Sequence, residues 1–124
     1  MAKKILVVDD SLTVRMYHKQ ILSKEGFECD EAENGMEALE KAQLNKYDLF
    51  LVDINMPILD GYSFVKRLRS GEGSIAPVIM VSTESEEMDM DLAYEAGASM
   101  YLIKPVRPDD LLLNVKMLTY SRQG

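Results

Sequence analysis

The chain has little cysteine and histidine, with one residue of each among 124. The single cysteine, Cys29, cannot form a disulfide within the chain, and we expect it to be a small buried apolar side chain rather than a reactive thiol. A Ser-His-Asp triad would have to recruit His18 from the first predicted helix, away from the candidate serine Ser82. We therefore expect His18 to lie on a helix face without a catalytic role.

Basic residues and long apolar runs are also scarce. The 14 basic residues are outnumbered by 21 acidic ones, which gives a net charge of -7, whereas binding to a phosphate backbone requires clustered Lys and Arg. We expect no direct nucleic-acid partner. The first apolar run, residues 5–8, is too short for a signal sequence or a membrane span. The resulting expectation is a cytoplasmic protein without membrane insertion.

What is present is the composition of an ordinary globular domain. Hydrophobic residues make up 47% and charged residues 28% of the chain, values typical of folded proteins. The length predicts one domain, residues 1–124. We find no internal repeat, low-complexity tract or linker, and residues 70–74, with two glycines, predict a surface loop.

Five apolar runs of strand length alternate with segments of helical spacing. The runs are residues 5–8, 27–32, 49–52, 78–81 and 100–103. The helical stripes are Val14, Tyr17 and Ile21; Ala38, Leu39 and Ala42; Phe64, Val65 and Leu68; Leu112, Val115 and Leu118; with a weaker helix at residues 86–96. Gly26 and Gly97 stand where helices should end in a left-handed residue. The pattern predicts an α/β fold: a five-stranded parallel sheet, doubly wound and flavodoxin-like, (βα)5 with strand order 2-1-3-4-5.

Polar side chains follow four of the predicted strands. In chain order these are Asp9 and Asp10, Asp53 and Asn55, Ser82 and Thr83, and Lys104, which is followed by Pro105. Ligands of such folds bind at the carboxyl ends of the strands, so we expect these side chains to share one edge of the sheet. Taken alone, Asp10 could simply start a helix before Ser11, and Lys104 could be an ordinary surface lysine.

The carboxylates of Asp9, Asp10 and Asp53 would repel one another at this edge. Two like charges about 4 Å apart cost on the order of 4 kcal/mol at an effective dielectric near 20. Mg²⁺ together with Lys104 would neutralise the three, and Mg²⁺ typically takes one or two carboxylates plus phosphate oxygens of a substrate. A lysine and a hydroxyl such as that of Ser82 also suit the oxygens of a transferring phosphoryl group. We therefore predict Mg²⁺ as the cofactor and a phosphate-bearing substrate.

These residues resemble the motifs of response regulator receiver domains. The resemblance is carried by Ile-Leu-Val-Val-Asp-Asp at residues 5–10, Asp-Ile-Asn-Met-Pro at residues 53–57, Asp60 and Gly61, Ser82, and Lys104 with Pro105. The resemblance covers essentially the whole chain, and the chain is most similar to stand-alone chemotaxis regulators of the CheY type. It implies a phosphorylation-activated signalling switch of a two-component system, with chemotaxis as the expected pathway.

The resemblance also implies a role for each acidic residue. Asp53 would accept the phosphoryl group from a sensor histidine kinase and later release it by hydrolysis. Asp10 would bind Mg²⁺ together with Asp53 and the backbone carbonyl of Asn55, while Asp9 would act near the metal through water. The chemistry would be self-directed, which describes a regulator with autodephosphorylation rather than a conventional enzyme.

A second group of implied roles concerns the phosphoryl oxygens and the switch. Lys104 and Ser82 would contact those oxygens, and the Lys104-Pro105 peptide is expected to be cis. Ser82 and Tyr101 would form the switch, with the Tyr101 ring turning inward on activation; a partly buried core tyrosine is the alternative. Two departures from the family are Ser82, where threonine is more common, and Val106, where many relatives have phenylalanine.

The expected output is a contact between a monomer and a downstream protein target, made through the fourth helix, fifth strand and fifth helix. The fourth helix begins with the acidic residues Glu86, Glu87, Asp89 and Asp91 around Met88 and Met90. The acids either favour the positive end of the helix dipole or belong to the output face. The nine methionines of the chain are expected mainly to fill gaps in the core.

Two other classes of function stay open at this point. Residues 53–55 superficially resemble the acidic motif of Mg²⁺-dependent phosphatases with an aspartyl nucleophile, although those enzymes usually place it at the first strand and carry a cap. A receiver-like or flavin-binding module that is never phosphorylated is the other alternative. A flavin site would need a Gly/Ser-rich phosphate-binding loop after the first strand, and the sequence has none there.

Overall fold

The computed structural model describes residues 2–70 and 73–120 of the chain. The strands are β1 (Lys4–Val8), β2 (Glu28–Ala32), β3 (Leu49–Asp53), β4 (Val78–Ser82) and β5 (Met100–Ile103). The helices are α1 (Leu12–Lys24), α2 (Gly35–Leu44), α3 (Gly61–Arg69), α4 (Glu87–Ala96) and α5 (Pro108–Tyr120). Part of the loop predicted at residues 70–74 lies outside the described residues, which do not include Gly71 and Glu72.

The strands form one parallel sheet in the order β2-β1-β3-β4-β5, which confirms the predicted fold class. Every residue of β3 and β4 is buried, as expected for strands with helices on both faces. The polar strand β2 lies at one edge. Its Cys29 is partly buried against the core, and this burial raises the pKa of the thiol.

The helices cover the sheet in two layers. One layer, from α2, α3 and α4, packs on sheet residues such as Phe50, Val52 and Met80. The other, from α1 and α5, packs on residues such as Leu51 and Val81. Strand β5 is therefore an edge strand flanked by α4 on one face and α5 on the other. None of the helices, over the residues that the structure describes, is long and apolar enough to cross a membrane.

The predicted stripe of α1 is displaced by one residue. The buried residues of this helix are Arg15, His18 and Leu22, whereas Tyr17 is 41% exposed. The predicted helix is confirmed, and Val14 and Ile21 are half-buried, with Ile21 packed against the core. A count of apolar residues misses the most buried face, because two of its three positions carry Arg and His. The expectation that His18 lies on a helix face needs the correction that this face is turned to the core.

The two ends of α4 differ in how they are held. Gly97 ends the helix in the left-handed conformation, at φ 118°, as predicted. The guanidinium of Arg69 donates hydrogen bonds to the Gly97 carbonyl at 3.0 and 3.2 Å and to the Ser74 carbonyl at 3.0 Å. The first turn of α4, after Glu86, has no side-chain capping hydrogen bond.

Candidate functional site

Three carboxylates converge at the carboxyl edge of the sheet. One oxygen from each of Asp9, Asp10 and Asp53 lies within 4.8 Å of the others. Asp9 directly follows β1 and Asp53 ends β3, and these two strands are neighbours. Asp9 and Asp53 are buried while Asp10 is exposed. The sequence-predicted acids are thus brought together, with one of them open to solvent.

Lys104 lies between the two buried carboxylates. Its Nζ is 2.9 Å from Asp9 Oδ2 and 3.0 Å from Asp53 Oδ1, and its peptide bond to Pro105 is cis, as expected. Burial alone would lower the pKa of Lys104, but the hydrogen bonds to Asp9 and Asp53 outweigh it and raise this pKa. Lys104 is therefore a charged member of the site and not an ordinary surface lysine.

The surroundings of Asp53 disfavour the charged form of its carboxyl group. Burial, assisted by the charge of Asp9 and opposed by Lys104, raises the pKa of Asp53 to about 6. Three carboxylates and one ammonium group leave a formal charge of -2. The atoms of this cluster that could bind a metal are all carboxylate oxygens, the ligand type that Mg²⁺ prefers. The residues present therefore fit a divalent cation of this kind.

Asp9 and Asp10 differ in what they already bind. Asp9 Oδ1 accepts a hydrogen bond from the Ser11 N–H at 2.9 Å, and Oδ2 accepts one from Lys104. Ser11, and not Asp10, caps α1, since its Oγ accepts from the Val14 N–H at 3.3 Å. The Asp10 carboxylate therefore does not cap α1, which was one of its two possible roles in the sequence. Asn55 lies exposed in the loop after β3.

Gly61 allows α3 to start directly beside the end of β3. Its N–H donates to the Ile54 carbonyl at 2.8 Å, and Asp60 caps the helix by accepting from the Ser63 N–H at 2.8 Å. A Cβ at Gly61 would lie 2.6 Å from the Asp53 carbonyl oxygen, closer than any side chain tolerates. Glycine at this position therefore fixes the approach of α3 to the acidic site.

The backbone of one residue, Glu84, connects the two predicted switch residues. The Glu84 N–H donates to Ser82 Oγ at 3.1 Å, and the Glu84 carbonyl accepts from the Tyr101 hydroxyl at 2.8 Å. Ser82 is buried and the Tyr101 side chain points inward, leaving the residue 7% exposed. A change in the hydrogen bonding of Ser82 would therefore alter the hydrogen bond of the Tyr101 hydroxyl.

Arg15 supports the site and was missed in the sequence. Its Nη1 donates to the Asp9 carbonyl at 2.7 Å and its Nε donates to the Glu31 carboxylate at 2.7 Å. Lys19 binds the other oxygen of Glu31 at 2.8 Å. The available signal was its spacing, since Arg15 shares one helix face with His18 and Leu22.

His18 is buried behind the acidic site, with 2% of its surface exposed. Burial lowers the pKa of His18 to about 4, opposed by Asp9 and assisted by Lys104, so the imidazole is neutral at physiological pH. With Val106 and Lys104 it lines an apolar cavity of about 280 Å³. Val106, a departure from the family pattern, therefore borders space next to the site.

The order of the strands, the acidic cluster and the lysine agree with a comparison against protein families. Residues 5–116 match the family model described as response regulator receiver domain. The chain belongs to the response regulator receiver family. The match includes every candidate site residue of the receiver.

Curated relatives of this receiver are regulators of transcription by name. The receiver is 40% identical over 115 residues to the transcriptional regulatory protein ResD of Bacillus subtilis (strain 168), which covers 93% of this chain and 47% of ResD. It is 39% identical over 124 residues to the transcriptional regulatory protein SrrA of Staphylococcus aureus (strain NCTC 8325 / PS 47), covering 100% of this chain and 51% of SrrA. The chain thus spans about half the length of the curated relatives it matches.

Solved structures give the same fold. The chemotaxis protein CheY4 of Vibrio cholerae superposes with a TM-score of 0.89 at 34% identity, covering 95% of this chain and 99% of that one. A two-component response regulator from Clostridium difficile superposes with a TM-score of 0.93 at 29% identity, covering 98% and 99%. The predicted topology is therefore shared with both a chemotaxis protein and other response regulators.

Proposed function

We propose that residues 1–124 act as one phosphorylation-activated signalling domain that accepts a phosphoryl group on Asp53 from a sensor histidine kinase. The observation that carries this proposal is the buried Asp53 carboxylate held 3.0 Å from Lys104 within an acidic cluster. A carboxylate beside a fixed ammonium group suits covalent phosphoryl transfer, in which the protein mainly positions groups and stabilises charge.

The chemistry follows from the two oxygens of Asp53. One contacts Lys104, and the other has no hydrogen bond or ion pair among the described residues, which leaves it available as the nucleophile. Its attack on phosphohistidine forms an O–P bond and breaks the P–N bond, and the released imidazole takes up a proton. Lys104 stabilises the charge on the phosphoryl oxygens, and the hydroxyl of Ser82 binds one of them. Mg²⁺, held by Asp10, Asp53 and the Asn55 carbonyl, with Asp9 acting through water, would supply further charge neutralisation.

Water later attacks the phosphorus, restores the Asp53 carboxylate and releases inorganic phosphate, so the domain resets itself. While it is present, the phosphoryl group favours one of two pre-existing states through its contacts with Ser82 and Lys104. The hydrogen bonds of the Glu84 backbone to Ser82 and Tyr101 support a coupling of this preference to Tyr101. Ser82 and Tyr101 thereby act as the switch.

Mass analysis after incubation with a small acyl phosphate and Mg²⁺ tests the assignment. We expect a mass gain of one phosphoryl group in the unmodified chain and none in Asp53→Asn. Asp60→Asn is the matched control, because it removes an exposed carboxylate from the same loop while asparagine still caps α3. An unlabelled wild-type chain, or equal labelling of Asp53→Asn, would refute the proposal.

Two pathways are candidates for this switch. Chemotaxis, in the cytoplasm, is supported by the similarity to the Vibrio cholerae chemotaxis protein. Control of transcription is the second candidate, because the curated relatives are named for it. Affinity capture with and without beryllium fluoride, a phosphoryl mimic, discriminates between them: flagellar motor components would decide for chemotaxis, and transcription components would decide against it.

A further inference from the structure

We infer that the surface formed by α4, β5 and α5 binds a basic, amphipathic segment of a partner protein. The inference rests on the proposed function and on the output face that the family resemblance implies, and it adds the chemistry of the partner. It is carried by exposed apolar side chains together with unpaired charge of one sign.

The contacts of the two helices show which side chains share this surface. Tyr62 of α3 donates a hydrogen bond to the Asp89 carbonyl at 3.2 Å, so the side of α4 that carries Asp89 faces α3. The opposite side, toward β5, carries Glu87, Asp91 and Tyr94 by helical spacing.

On α5, Lys116 binds Glu25 at the end of α1 at 2.6 Å, which turns that side of the helix toward α1. Asp110 and Met117 therefore lie on the side toward β5, and Leu113 lies beside them.

The centre of the surface is apolar and open. The exposed fractions are 47% for Tyr94, 42% for Ile103, 58% for Leu113 and 58% for Met117. Such side chains from two helices and an edge strand make a patch that a partner can cover. An apolar centre within a charged rim is the usual anatomy of a protein interface.

The rim is acidic and lacks compensating charge. Residues 84–117 contain eight acidic residues against three basic ones, and none of the eight forms an ion pair within the part of the chain that the structure describes. Of the three basic residues, Lys104 is bound to Asp9 and Asp53, and Lys116 is paired with Glu25. Arg107 is therefore the remaining basic residue of this segment to set against the eight acids.

The helix dipole explains only part of this charge. It favours acids in the first turn, which accounts for Glu87 and Asp89. Asp91 and Glu95 lie beyond that turn, and Glu95 stands near the negative end of the dipole. Their acidity is therefore better explained by what binds the surface than by what stabilises α4.

A second copy of the chain does not suit the surface. A two-fold contact places the same patch on both subunits, so acidic rims would face acidic rims, and like-charge juxtaposition opposes association. A basic segment with apolar residues along one helix face satisfies both the rim and the centre. We therefore assign the surface to a partner of that chemistry.

Two synthetic helical peptides test the assignment. Both carry leucine at the same positions along one face; one has lysine and the other glutamate at the remaining positions. In NMR titrations at low ionic strength, we expect the lysine peptide to shift resonances of Tyr94, Ile103, Leu113 and Met117. Its binding should be at least about tenfold tighter than that of the glutamate peptide.

The matched variants are Glu87→Lys with Asp91→Lys, and Glu28→Lys with Glu40→Lys. Both pairs change the net charge equally, and all four side chains are exposed. The first pair should weaken binding of the lysine peptide at least about tenfold, and the second less than about twofold. Equal losses in both pairs, shifts at another surface, or sedimentation showing a dimer through this surface would overturn the inference.

Phosphoryl labelling of the same samples separates this inference from the proposed function. Both charge variants should be labelled on Asp53 as fully as the unmodified chain, because none of their substitutions lies in the site. Peptide binding without labelling would refute the proposed function and retain the surface, whereas labelling without peptide binding would refute the surface alone.

Discussion

The carboxyl group of Asp53 is kept in its site at a cost in stability. Because its pKa rises to about 6 on folding, the folded state binds the proton more tightly than the unfolded chain does. Asp53 therefore lowers the stability of the fold progressively as pH rises from its ordinary pKa of 3.8 through about 6. The group that we propose as the nucleophile is thus also a group that destabilises the fold at neutral pH.

We predict that Asp53→Asn raises the free energy of unfolding at pH 7, without Mg²⁺, by on the order of 2 kcal/mol. The gain should shrink toward zero at pH 4, where the carboxyl group of the folded wild type is protonated. Urea unfolding of both proteins at several pH values measures it. An equal gain at pH 4 and pH 7 would show that the charge of the carboxylate is not the cause.

His18 should have the opposite pH dependence. Its pKa falls from 6.5 to about 4 on folding, so below pH 6.5 the unfolded chain takes up the proton first and the fold loses stability. Relative to wild type, His18→Leu should gain about 2 kcal/mol between pH 7 and pH 5. Because the chain has one histidine, a pH-independent difference would show that the imidazole is not buried in its neutral form.

Single residues also show what the sequence could predict about the site. Asp9, Asp10, Asp53 and Lys104 were predictable because each follows a strand and all strand ends meet at one edge. The separate tasks of Asp10 and Ser11 were not, since either can cap a helix and only the Val14 contact decides between them. The position of Lys104 between two carboxylates likewise depends on contacts across 95 residues of chain.

At the scale of elements, the approach of α3 to β3 depends on Gly61. We predict that Gly61→Ala destabilises the fold by about 2 kcal/mol or more, because the new Cβ is pressed against backbone, and that it slows labelling of Asp53 at least about tenfold. Urea unfolding and the rate of acyl phosphate labelling measure the two effects.

Gly26→Ala provides the control for that substitution. Gly26 has a φ of 88° but nothing within 4 Å of its added Cβ, so alanine should cost about 1 kcal/mol through backbone strain alone. Its labelling rate should equal that of the wild type. Similar labelling of both alanine variants would show that α3 does not need its close approach.

The elements differ in how far periodicity could predict them. The strands and the stripe of α3 follow from apolar residues alone, and Phe64, Val65 and Leu68 are buried as predicted. The buried face of α1 does not follow from apolar residues, because Arg15 is stabilised there by the Asp9 carbonyl and by Glu31 of β2. A pattern read along one helix contains no information about acceptors supplied by other elements.

At the scale of the whole molecule, the acidic cluster should couple Mg²⁺ binding to folding. A ligand that binds the folded state alone adds about 1.4 kcal/mol at ten times its Kd. We predict a rise of several degrees in Tm with millimolar Mg²⁺, and a much smaller rise in Asp10→Asn. Differential scanning calorimetry measures both, and equal rises would place the bound ion elsewhere.

The two ends of α4 are held to α3 by different contacts, since Arg69 binds the Gly97 carbonyl and Tyr62 donates to the Asp89 carbonyl in the first turn. The guanidinium fastens the Gly97 end to α3, while the first turn lacks a side-chain cap. Because the two Arg69 hydrogen bonds hold the Gly97 end more firmly than one Tyr62 hydrogen bond holds the first turn, we expect any displacement of α4 to be largest at its first turn. A shift of the Glu84 backbone would then tilt the acidic surface that α4 carries.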